Sequence, residues 1–222
     1  MDDLTQEIEA CKGIGNCFGI VSGPIVPFVF LYTKDGPTVM VITEQPRISI
    51  DREDLKKEFA IGRKNSVPQR LKTLLNREFV LSVNEDRGLY YWTHFIKCPG
   101  NLRDVQGKSD FKLCADKILV REISLLKPSL ILCFGGSSSR WLLKRASKDS
   151  DWRDHILDEL CEEQAVELEI RTGEGENSEV VKSRVIFLFH PAERSGIGWF
   201  IDKRLGKLIH KEVDTIKKTF NP

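Results

Sequence analysis

The side chains best suited to chemistry in this sequence are its six cysteines, a His-Pro step late in the chain and a few carboxylates. In a reducing compartment, thiols are metal ligands or redox groups before they are a disulfide framework. Thiols are also commonly buried as small hydrophobes, and zinc would use the same ligands as iron. Cys133 lies inside an apolar run and Cys161 on an amphipathic stretch, so both read as packing. His190 ends the apolar run Val185 to Phe189 and precedes Pro191, and its spacing alone suits a strand-end histidine that caps a loop. His155 and His210 fall on charged helical stretches and are expected in solvent. Glu44, Asp51 and Glu53 are the carboxylates near the end of a β-rich run, although a charged stretch such as the one holding Asp51 and Glu53 usually means an exposed loop. Gly135-Gly136-Ser137-Ser138-Ser139 opens a helix as a phosphate-cradling turn would, but it lacks the lysine of a nucleoside-triphosphate loop. Close helix–sheet packing is the other reason for glycines there.

These residues need a scaffold. A chain of 222 residues, 41% hydrophobic and 30% charged, fits one domain over 1–222 with a sizeable core. Lys and Arg number 34 against 33 Asp and Glu, so the whole-chain charge carries no footprint for nucleic acid. The acidic start Met1 to Ala10 lacks the pattern of a signal peptide, and no stretch has the length to span a bilayer, so a cytoplasmic protein with no membrane contact is expected.

Residues 25 to 44 form two β-rich runs broken by Lys34-Asp35-Gly36-Pro37, which predicts a hairpin. Helical spacing follows from Val67 to Leu75. Phe79 to Val83 and Tyr90 to Ile96 suit two neighbouring strands. Cys114 to Leu126 is helical by period, with Pro128 just beyond its end. The apolar run Leu130 to Phe134 and the glycine turn then feed a helix to about Lys144, the cadence of a parallel sheet covered on both faces. A helix over Asp151 to Cys161, a strand over Val166 to Ile170, a polar turn over Thr172 to Ser178, a core run over Val185 to Phe189 and a long helix from about Trp199 to Thr219 complete the series.

Several short segments fall in an order that resembles a known family. They are Cys11 and Cys17; Thr43-Glu44-Gln45-Pro46-Arg47; Thr93-His94-Phe95-Ile96-Lys97-Cys98-Pro99-Gly100-Asn101; Cys114; and His190-Pro191-Ala192. Over most of its length the chain resembles the iron–sulfur branches, families 4 and 5, of the uracil-DNA glycosylase superfamily. There a cysteine pair precedes a Gly-Glu-Ala-Pro-Gly-like strand end, a Thr-Asn-x-x-Lys-Cys strand, a further cysteine-bearing helix and a late His-Pro. The resemblance implies an α/β fold, a three-layer α/β/α sandwich on a central, mostly parallel sheet. It also implies DNA as partner, with a flipped base, and a [4Fe–4S] cluster held by Cys11, Cys17, Cys98 and Cys114. Four thiolates are what such a cubane needs. In the family the cluster is a structural staple, which links metal binding to folding.

By the same resemblance, His190 stands where the family keeps the histidine that stabilises the departing base, and Glu44 matches the motif glutamate. Gln45 falls where one branch has a catalytic Asp, and an amide can hold a water but not take its proton. Glu44, Asp51 and Glu53 are therefore the candidates for the carboxylate. Arg47 replaces a glycine and offers a guanidinium to a phosphate. Phe59, before Ala60-Ile61-Gly62-Arg63, resembles the stretch whose ring stacks on the flipped base. Arg194 is a phosphate contact and Ile197 a wedge in the loop after His190. His94 replaces the family's base-reading Asn, which takes away the paired donor and acceptor that suit the uracil edge.

The function expected is a monofunctional DNA glycosylase, a monomer, cytoplasmic or at the nucleoid in a prokaryote. It would flip a damaged or modified base, uracil or another deaminated one, and hydrolyse its bond to deoxyribose. The rival from another class is an inactive glycosylase-fold module that binds nucleic acid or a protein, which Gln45, Arg47 and His94 favour. A zinc-stabilised protein unrelated to DNA ranks last.

Overall fold

The computed structural model describes residues 6, 39–44, 71–75, 89–97, 114–146, 165–173, 178–188 and 203–220. In chain order these hold strand β1 (Val39–Thr43), helix α1 (71–75), strand β2 (Tyr90–His94), a π-helical turn (Ala115–Leu119) running into α2 (Val120–Leu126), β3 (Leu130–Phe134), α3 (Gly136–Arg145), β4 (Val166–Arg171), β5 (Val180–Leu188) and α4 (Lys203–Phe220).

The strands form one sheet in the order β2-β1-β3-β5-β4. β1 pairs in parallel with β2 on one side and β3 on the other, β3 pairs in parallel with β5, and β4 closes the far edge antiparallel to β5. Side chains alternate across the sheet, so each central strand supplies both faces. Met40, Ile42, Ile131, Cys133, Val185 and Phe187 face α2 and α3, with Leu119, Ile123, Leu142 and Leu143 packed on them. Val39, Val41, Leu130, Leu132, Ile186 and Leu188 face α1 and α4, against Leu71, Leu75, Ile209 and Val213. The result is the expected three-layer α/β/α sandwich. The continuous apolar run Leu130 to Phe134 has its reason here, since a strand covered on both faces has no polar side.

Local signals explain the element ends. α2 stops at Lys127, which takes the left-handed conformation (φ 43°) and returns its N–H to the Ile123 carbonyl, with Pro128 next in sequence. The Ser138 and Ser139 hydroxyls in the first turn of α3 donate back to the carbonyls of Phe134 and Gly135, so these buried hydroxyls are satisfied locally.

One expectation is corrected and another is described only in part. The first run and turn of the hairpin expected over 25 to 44 lie outside the described residues, while the second run is β1, paired in parallel with β2 and β3. His210 is not solvated: it is half-buried, and its Nε2 is enclosed with no hydrogen-bond partner among the described residues. It sits beside the stripe Ile209, Val213 and Ile216 that anchors α4. The helix expected over 151 to 161 and the strand over 79 to 83 lie outside the described residues.

Candidate functional site

The four parallel strands end along one edge of the sheet, β1 at Thr43, β2 at His94, β3 at Phe134 and β5 at Leu188. From β1 the chain moves to the strand on one side, and from β3 to strands on the other, so the topological switch lies between β1 and β3. Beyond the carboxyl ends of such a pair is where open α/β sheets bind ligands. The residues just past those ends are Glu44 and Gly135.

They meet. A Cβ built on Gly135 would stand 2.5 Å from Glu44 Cγ and 2.6 Å from its Oε1, and Gly135 has φ +99°, a conformation L side chains rarely adopt. Glu44 Oε1 accepts from the Ser137 N–H at 3.2 Å. The carboxylate therefore sits on an otherwise orphaned amide at the N-terminus of α3, where the helix dipole favours negative charge. The glycine turn holds an internal anion, so close packing rather than a phosphate accounts for its glycines. The same strand ends are held in register by Phe95 N–H to the Thr43 carbonyl (2.7 Å) and Ile96 N–H to the Glu44 carbonyl (2.9 Å).

His94 ends β2 with 6% of its surface exposed. Its Nδ1 lies 2.8 Å from the Thr43 hydroxyl, and the Trp92 indole donates to that hydroxyl at 3.0 Å. The Trp92 and His94 rings stand 5.5 Å apart, tilted by 53°. Thr43 thus connects two side chains of the neighbouring strand.

Behind this edge is a buried polar cluster. Lys97 and Glu122 pair at 2.7 Å with almost no exposure. The Lys97 ammonium donates to Glu122 Oε2, to the Thr93 hydroxyl and to the His94 carbonyl, so all three of its hydrogens are used. Glu122 accepts in addition from Tyr91 at 2.9 Å and from Thr93 at 3.0 Å. Burial, and then the Glu122 charge, hold the Tyr91 phenol well above its ordinary value. A buried ion pair is tolerable only with this degree of satisfaction. The pair ties the end of β2, and with it His94, to α2.

The chain matches a family. A profile for the Uracil DNA glycosylase superfamily matches residues 30–207. The chain belongs to the uracil DNA glycosylase superfamily. No curated protein matches it. Superfamily membership makes DNA the partner and a glycosylase-type function in DNA repair the frame. The matched span contains Glu44, Gln45, Arg47, Asp51, Phe59, His94, Cys98, Cys114, His190, Arg194 and Ile197, while Cys11 and Cys17 precede it.

Of these candidates the structure places three. Glu44 and His94 stand on the same carboxyl edge of the sheet, linked through Thr43 and the paired ends of β1 and β2. Cys114 is elsewhere: it is buried, is not in a disulfide, and opens the π-helical turn before α2. Cys11, Cys17, Gln45, Arg47, Asp51, Phe59, Cys98, His190, Arg194 and Ile197 lie outside the described residues. Cys133 is wholly buried among apolar side chains, and burial pushes its thiol up to about 11, so packing is its role.

Thr43, Trp92, Lys97 and Glu122 were not singled out by sequence reasoning. A signal existed for Glu122, a charged residue on the apolar stripe of Ala115, Ile118, Leu119 and Leu126, which asks for a buried partner. For Thr43 there was none, since a threonine at a strand end is ordinary β chemistry.

Proposed function

We propose that this protein is a monofunctional DNA glycosylase of the iron–sulfur branch, which flips a damaged or modified base out of DNA and hydrolyses its N-glycosidic bond. The observation that carries the reading is the position of Glu44 at the topological switch and of His94 at the end of the neighbouring strand β2, on one carboxyl edge of a uracil DNA glycosylase superfamily fold. Hydrolysis of this bond leaves an anionic base and an oxocarbenium-like sugar, so it needs a donor to the base, negative charge near the sugar and a held water. His190 is the donor in this reading. Glu44 or Asp51 supplies the charge, and Gln45 holds the water. His94 reads the base edge, Phe59 stacks on it, and Arg47, Arg194 and Ile197 grip the DNA around it. The protein acts as a cytoplasmic monomer; among the described residues no helix is long and apolar enough to cross a membrane.

A [4Fe–4S] cluster would be held by Cys11, Cys17, Cys98 and Cys114. The donor set fits: Cys114 offers a buried thiol at the mouth of a helix, and Cys98 follows directly on Lys97, which is pinned to that same helix through Glu122. What the cluster supplies is folding energy, holding the segments around those cysteines, and no step of the hydrolysis.

The test is base release by anaerobically prepared protein from oligonucleotides carrying uracil, hypoxanthine, xanthine or modified cytosines, read as alkali-labile sites. Release from at least one of them, lost in His190→Ala while DNA binding persists, is the expected result. Equal release by mutant and wild type would remove His190 from the chemistry. DNA binding without release anywhere on the panel would favour the inactive binding module.

A further inference from the structure

A net charge of +1 gives the whole molecule little pull on DNA, so attraction has to come from a local face. Helix α3 supplies one. It carries Arg140, Lys144 and Arg145 and no acidic residue. Its inner side, with Ser138, Ser139, Trp141, Leu142 and Leu143, is buried, while Arg140 and Lys144, four apart, stand exposed on one outer stripe. Arg145 is paired with Asp116 at 2.7 Å. Among the described residues neither Arg140 nor Lys144 has an acidic partner.

The stripe starts at the edge that holds Glu44. α3 leaves the sheet at its carboxyl edge, where the Gly135 N–H meets the Leu188 carbonyl at 2.8 Å, and finishes where Ala146 bridges Ile170, the partner of Val181 near the start of β5. Arg140 is folded back toward that beginning, its Nε donating to the Gly136 carbonyl at 3.1 Å. This brings a cation to the end of the helix where the dipole opposes positive charge, and it forms no ion pair with the Glu44 carboxylate seated there. Among the described residues the other N–H groups of the guanidinium have no acceptor. A charge held in place against the local field, with its donors left over, is arranged for an anion from outside the chain.

We propose that Arg140 and Lys144 form a backbone-contact surface that grips DNA phosphates on the α3 side of the carboxyl edge. The proposal rests on DNA being the partner in the reading given above, and it adds two contacts to Arg47, Arg194 and Ile197. A guanidinium fork meets phosphate oxygens in pairs, and the ammonium adds a second point charge further along the helix. Phosphate contacts carry no base information, so this surface adds affinity and register equally on damaged and intact DNA.

The test is equilibrium binding of the full-length protein to a fluorescent duplex, intact or carrying one uracil, across a salt series. Each lost phosphate contact lowers the slope of log affinity against log salt by about 0.9, so Arg140→Gln/Lys144→Gln should lower it by about 1.8 and weaken binding at physiological salt by roughly ten- to fiftyfold, alike on both duplexes. Arg140→Lys keeps the charge and loses the planar fork, so it should keep the slope while binding more weakly. Lys182→Gln removes an exposed cation near the start of β5, paired there with Glu169 at 3.0 Å, and should leave the slope unchanged. A slope unmoved by the double substitution overturns the proposal. So does an equal fall per charge in Lys182→Gln, which would assign the effect to net charge, and so does a loss confined to the uracil duplex. Wild-type protein that binds neither duplex removes both the proposal and the glycosylase reading. The expected slopes without base release from any substrate would support the surface and remove the glycosylase chemistry alone.

Discussion

The side chain of Glu44 stands where a Cβ of Gly135 would have to be, with its Cγ 2.5 Å and its Oε1 2.6 Å from that position. One carboxylate thus joins the end of β1 to the turn that starts α3, at the switch point of the sheet. Gly135→Ala meets both the Glu44 side chain and a φ of +99°, and should lose at least about 2 kcal/mol of stability in urea unfolding. Removing the obstacle with Glu44→Ala should lower that cost by about 1 kcal/mol, leaving the backbone strain. An identical cost in both backgrounds would mean the contact is not made.

The Lys97–Glu122 pair predicts a second asymmetry. Lys97→Met strands a buried carboxylate and should cost about 4 kcal/mol. In Lys97→Met/Glu122→Gln the charge is gone and the amide oxygen still accepts from Tyr91, so at least half of that loss should return. Additive losses in a double-mutant cycle by chemical denaturation would contradict the pairing.

Alkaline pH should unfold the protein through Cys133. The thiol's ordinary value of 9.0 is raised to about 11 by burial in the folded chain. Below pH 9 both states keep the proton. Between 9 and 11 only the unfolded chain releases it, so stability falls with rising pH, by about 3 kcal/mol once the folded value is passed. Cys133→Ala should flatten this part of a stability–pH curve, while the loss that begins above pH 10, set by the raised Tyr91, remains. Superimposable curves for wild type and Cys133→Ala would rule the thiol out.

On the proposed ligand set, anaerobically purified protein should be brown and carry about four irons per chain. Cys114→Ser should lose iron and colour and melt at a lower temperature, whereas Cys133→Ala should keep the iron. Colourless wild-type protein with one bound zinc would point to the zinc-stabilised alternative.

The sequence by itself determined the layers. The fully apolar run Leu130 to Phe134 could only be a strand covered on both faces, and the periods of Cys114 to Leu126 and of the C-terminal helix fixed which side of each is buried. It also named Glu44 and His94, through the order of the motif segments. Such features are legible because periodicity and strand-end position are local properties of the chain. What only the tertiary structure decided depends on residues far apart in sequence. Thr43 and His94 are 51 positions apart, and Glu44 and Ser137 are 93 apart. No local pattern states which strands lie beside β1. Once parallel pairing set β2 and β3 on either side of β1, the Thr43 hydroxyl came to His94 and the Glu44 carboxylate to the amide of Ser137. An amide at the start of α3, left without a partner within its own helix, then gave the Glu44 side chain its place.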